Sequence, residues 1–90
     1  MKRAQLLDTA KELVTRDRNA THGEPEDTFG LIAAYWSAHL DRAITSADVA
    51  IMMNLMKCAR LKANPSNPGN WLDGIGYLAC GGELALGGTE

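Results

Sequence analysis

Three groups of polar residues interrupt an otherwise apolar chain, and each contains side chains able to do chemistry. The first is Arg16, Arg18, His22 and Glu24; the second is Asp48, Asn54, Lys57 and Arg60; the third is Asp73 with Tyr77 one helical turn later. Guanidinium and ammonium groups recognise phosphates and carboxylates through charge-assisted hydrogen bonds. Carboxylates hold hard cations such as Mg²⁺ through oxygen. Arg16, Arg18, His22, Lys57, Arg60 and Tyr77 are therefore candidate ligands for a phosphate or nucleotide, and Glu24, Asp48 and Asp73 are candidate metal ligands.

Spacing restricts how these residues can cooperate. Asp48 and Lys57 are nine positions apart and fall on opposite faces of one helix. Asn54, Lys57 and Arg60 step by three and share a face. No acidic residue occurs from Val49 to Leu72, so Lys57, Arg60 and Lys62 must find negative charge elsewhere. Two readings stand. One pairs the cations structurally, with Asp73 of the next helix as the obvious partner; the other gives them an anionic ligand. For a metal, neither Asp48 nor Asp73 has a second carboxylate three or four residues away, and Glu24, Glu26 or Asp27 would have to complete a ligand set. Nucleophilic catalysis has less support, because no Gly-x-Ser-x-Gly occurs.

Helices must position these groups. Leu6, Leu7, Ala10, Leu13 and Val14 form one stripe and predict a helix from about Arg3 to Arg16. The polar segment 17–24 follows. Phe29, Ile32, Ala33, Trp36 and Leu40 predict a second helix from about Pro25 to Leu40, with Glu24, Glu26 and Asp27 complementing its dipole. Thr45 and Asp48 resemble a capping box that opens a third helix from about Ser46 to Ala63. That helix is apolar nearly all round and carries Met52, Met53 and Met56, which predicts a central place or burial between subunits. The stretch 63–70 reads as a loop, with Asn70 capping a fourth helix that begins at Trp71. Gly74, Gly76, Gly81 and Gly82 within it imply either close helix–helix approach or an end near Gly81. The fold class is all-α: four helices in one domain over 1–90, assembled as a helical homo-oligomer.

Bulk properties narrow the function. Nine Lys and Arg against eleven Asp and Glu leave a net charge of −2, which argues against holding nucleic acid by bulk electrostatics. Apolar runs are too short to span a membrane, and Met1-Lys2-Arg3 leads into an amphipathic helix rather than an export signal. Cytoplasmic residence is expected, with Cys58 and Cys80 as buried, reduced thiols. Two Cys and two His without ligand spacing do not predict zinc.

Four blocks in order carry a resemblance. They are Arg16-Asp-Arg18 through His22-Gly23-Glu24-Pro25 to Phe29; Ile32-Ala33 to Leu40; Asp48-Val49-Ala50 through Met56-Lys57 to Arg60; and Asn70-Trp71-x-Asp73 to Tyr77. Over roughly residues 3–83 the chain resembles a family of small phage and prophage proteins of unassigned function, in which Tyr is commoner where His22 stands. That family in turn looks like a distant relative of the MazG-like all-α nucleotide pyrophosphohydrolases, which are helical, oligomeric and Mg²⁺-dependent. Their signature, E-x-x-E on one helix and E-x-x-D on another, is absent here. The resemblance implies an oligomeric phage accessory protein that binds a host protein or a nucleotide without catalysis. It implies as an alternative a pyrophosphohydrolase using Mg²⁺; no cofactor is otherwise expected.

Overall fold

A computed structural model gives the architecture, and it describes residues 1–17 and 24–87. Helix α1 spans Arg3–Glu12 and continues into a π-helical turn, Leu13–Asp17. Helix α2 spans Pro25–Leu40, α3 spans Ser46–Ala63 and α4 spans Pro68–Leu86. There is no strand among the described residues, and no helix there is long and apolar enough to cross a membrane.

Local chemistry accounts for most of the boundaries. Pro25 opens α2 at a position where its missing N–H costs nothing. The helix ends at Asp41, held in the left-handed region at φ 53° with its N–H donating to Ser37 O. The Ser37 hydroxyl then accepts from Ile44 N at 2.8 Å and donates to Ile44 O at 3.2 Å, which turns the chain toward α3. Helix α3 starts with the expected capping box. The Thr45 hydroxyl accepts from Asp48 N at 3.1 Å, and Asp48 Oδ2 accepts from Thr45 N at 3.0 Å.

Helix α4 differs from expectation at its start, and its end decides between the two readings of its glycines. It starts at Pro68 rather than Trp71, because Asn67 and not Asn70 is the cap: Asn67 Oδ1 accepts from Gly69 N at 2.8 Å. The Trp71 indole donates to Pro65 O at 2.9 Å and fastens the turn. At the other end the helix runs past Gly81 and Gly82 and stops at Gly87, which adopts φ 75°. Close approach is thus the reason for Gly74, Gly76 and Gly81, not termination. A methyl group built on Gly81 would stand 2.6 Å from Ala50 Cβ, and one on Gly76 would stand 2.9 Å from Val14 Cγ1.

The core lies where α2, α3 and α4 meet. Phe29 and Ala33 of α2 and Val49 and Ala50 of α3 are buried, and Trp36, Met53, Tyr77 and Leu84 pack against them. Helix α1 lies on α4 through Val14 and Gly76. Helix α4 lies between α3 and α1, and α3 lies between α2 and α4, so these two helices share the centre. Within one chain α3 leaves Ile51 50% and Leu55 60% exposed. Cys58 also differs from expectation. It is exposed, on the side of α3 away from the core, while Cys80 is half-buried.

Candidate functional site

The strongest polar feature joins α3 to α4. Lys57, on the α3 face that meets α4, sends its ammonium 2.9 Å from Asp73 Oδ2. The Lys57 side chain is 9% exposed and that of Asp73 16%, so this ion pair is removed from solvent. Beside it, Gly74 lies so close to Asn54 that an added methyl group would stand 2.8 Å from Asn54 Oδ1. Lys57 and Asn54 do share a face, and that face is the joint between the two helices. Burying two charges is expensive unless each meets a partner in good geometry, and here each does.

The remaining candidates disperse. Asp48 has one carboxylate oxygen committed to the α3 cap. Arg60 lies exposed in the last turn of α3. Tyr77 is half-buried in the core, its ring 6.3 Å from that of Phe29 and tilted by 47°. Arg16 is exposed and pairs with Glu12 at 3.2 Å one turn back. Arg18 and His22 lie outside the described residues. No three His, Cys, Asp or Glu side chains among the described residues converge as a metal would need, so Glu24, Asp48 and Asp73 do not form one ligand set there. The Mg²⁺ that the MazG resemblance implies therefore finds no fitting donor set among them.

Glu24 belongs to a different feature. A groove of about 550 Å³ runs between α1, the start of α2 and α4. Leu7, Val14, Ile75 and Ala79 line its floor, and Glu24, Glu26 and Glu83 border it with Lys11 on the α1 side. Sequence reasoning offered Glu24 and Glu26 as possible ligands of one site but missed Glu83. Glu26 also reads as dipole complementation, and Glu83 lies in a tail that looks frayed if α4 ends at Gly81. The Pro at the start of α4 and the Gly at position 87 were the available signals.

Cys80 also lines this groove. Burial first, then the carboxylates of Glu83, Glu26 and Glu24, pushes its thiol above the ordinary range. The folded state thus holds this proton more tightly than the unfolded chain. The associated stability is present below the ordinary thiol pKa and is lost as pH rises through the raised value. Iodoacetamide at pH 8 is expected to label Cys58 at least several-fold faster than Cys80, because the thiolate is the reacting species. Mass spectrometry of the labelled peptides checks this, and equal rates would contradict it.

These features define a small all-α domain whose α3–α4 hairpin is sealed by a buried ion pair. Residues 5–85 match DUF6378, a domain of unknown function, and the chain belongs to that family. It is 36% identical over 75 residues to the "Gene 55 protein" of Mycobacterium phage D29, covering 83% of this chain and 50% of that protein. It is 34% identical over 74 residues to the "Gene 55 protein" of Mycobacterium phage L5, covering 80% of this chain and 47% of that protein. The chain spans about half the length of these curated relatives. No solved structure matches. A family of unassigned function with phage relatives agrees with the resemblance drawn from the four sequence blocks.

Proposed function

We propose that this chain is a phage or prophage accessory protein of the host cytoplasm. It acts by binding rather than catalysis, through a helical surface shared between copies, and its ligand is a partner protein or a nucleotide. The observation that carries this reading is the Lys57–Asp73 pair. The cation best placed for a phosphate is neutralised 2.9 Å away inside the α3–α4 joint, and Asp48 is engaged in a helix cap. A protein partner fits the outer surface better than a nucleotide does, because that surface is apolar at Ile51, Leu55, Trp71 and Leu78.

One observation favours the alternative, a MazG-like pyrophosphohydrolase: Glu24, Glu26 and Glu83 border a single groove, though they do not converge on one cation. Incubation with a panel of nucleoside triphosphates and Mg²⁺ at high protein concentration separates the two. The binding reading expects no pyrophosphate above the blank. Release of pyrophosphate that Glu83→Gln abolishes would overturn it in favour of the alternative.

A further inference from the structure

The α3–α4 hairpin has two sides, and the chain covers only one. Ala50 and Asn54 of α3 face Gly81 and Gly74 of α4, and Lys57 faces Asp73, so these residues mark the line of contact. To one side of that line, Val49 and Met53 of α3 and Tyr77, Cys80 and Leu84 of α4 pack on the core with α2. At 100° per residue, Ile51, Leu55 and Cys58 leave α3 on the opposite side, and so do Trp71 and Leu78 on α4. Ile51 is 50% exposed, Leu55 60%, Leu78 50% and Trp71 47%.

The pattern on this side has a repeat of seven. Ile51, Leu55, Cys58 and Lys62 are spaced four, three and four; Trp71, Leu78, Gly82 and Ala85 are spaced seven, four and three. That is the spacing of a seam that meets another helix. Gly82 fits the same account. Gly74, Gly76 and Gly81 each have a neighbour in the chain that a side chain would strike, but a methyl group on Gly82 would meet nothing within 4 Å. Its absent side chain lies on the seam, where a second surface can approach closely.

Charge identifies the occupant. Asp48 sits at the open end of the hairpin and Lys62 at the turn end, both toward the outer face, and the part of α3 between them is apolar on that side. A face that is acidic at one end and basic at the other complements its own copy turned end to end. We propose that the outer face of the α3–α4 hairpin pairs with the same face of a second copy, antiparallel, in a four-helix bundle centred near Leu55. A two-fold axis there brings Lys62 of each copy over Asp48 of the other, which is the isologous geometry of most homodimers. The face is about 27 Å long and about two helix diameters wide, on the scale of the roughly 800 Å² per partner that a stable interface buries.

This inference rests on the proposed reading of a surface shared between copies and names which surface it is. Sedimentation velocity on the full chain tests it. The expected result is a mass twice that of one chain. Leu55→Lys and Leu78→Lys are each expected to raise the dissociation constant at least about 30-fold, with circular dichroism unchanged because both side chains are exposed in the single chain. Tyr35→Lys, 64% exposed on α2, is expected to leave the dimer intact. A monomeric wild type would overturn both this inference and the shared-surface reading of function. A dimer indifferent to both leucine variants, or one dissociated by Tyr35→Lys, would overturn this face alone.

Discussion

Asp73→Asn is expected to destabilise the fold by about 3–5 kcal/mol, because it strands a buried ammonium without its counter-charge. Lys57 is 7% exposed as a whole residue, with its ammonium 2.9 Å from the Asp73 carboxylate, so water cannot readily replace the lost partner. For a domain of this size a loss on that scale lowers the melting temperature by more than about 10 °C. Lys57→Met should also destabilise, and by less, since the Asp73 side chain is the more exposed of the two. The double variant Lys57→Met/Asp73→Leu decides the matter. Replacing a buried ion pair by apolar groups of similar size is often neutral or stabilising. A cycle of the four proteins followed by thermal denaturation should therefore show strong coupling, with the double variant more stable than Asp73→Asn. Additive losses would show that the two residues act independently.

Gly81→Leu is expected to prevent α3 and α4 from closing, at a cost above about 3 kcal/mol, the upper end for overpacking. Even the first added carbon would stand 2.6 Å from Ala50 Cβ, which is rigidly attached to the backbone, and within 4.0 Å of Ala50 Cα. Relief requires the helices to separate at the point where Val49 and Ala50 are fully buried. Gly81→Ala should therefore also destabilise, although alanine favours a helix over glycine by about 1 kcal/mol. Gly30→Ala in α2 isolates that propensity. Its methyl would meet only Ser46 Oγ at 3.9 Å, an ordinary contact, so this variant should gain about 0.5–1 kcal/mol. Urea denaturation of the three variants checks the order; a stabilised Gly81→Ala would show that the hairpin tolerates wider spacing.

The parts of this fold that were legible in sequence are those set by local chemistry. Helix α2 runs Pro25–Leu40 and α3 runs Ser46–Ala63, as their apolar periods, Pro25 and the Thr45–Asp48 box indicate. The pairing of Lys57 with Asp73 was one of two readings, since an acid-free stretch of cations needs charge from the next helix. What sequence could not show depends on neighbours. The glycines of α4 lower local helix propensity, and only the approach of Ala50 and Val14 explains why the helix continues through them. The π-helical turn Leu13–Asp17 also escapes a period of 3.6; there the Thr15 hydroxyl donates to Lys11 O at 2.6 Å. Asn67 and Asn70 are equivalent as letters. The proline after Asn67 distinguishes them, but it reads as a breaker until the helix is seen to start on it. The candidate site was legible by residue type and not by position. The acids named for one metal set divide among a helix cap, an ion pair and a groove. Glu83 joins that groove only because α4 runs past Gly81.

The short turn between α3 and α4 has a consequence for the order in which the chain folds. Its asparagines and the Trp71 indole bond are all local, with Asn64 Oδ1 accepting from Ser66 N at 3.3 Å and the indole reaching back to Pro65. Closing so short a loop loses little chain entropy, and contacts near in sequence form fastest. The α3–α4 hairpin is thus the natural nucleus, and it emerges in synthesis after α1 and α2. Helix α1 docks on α4 at Gly76, so it must wait for the C-terminal half of its own chain. Until then its apolar stripe has no partner, and the order of assembly runs opposite to the order of translation.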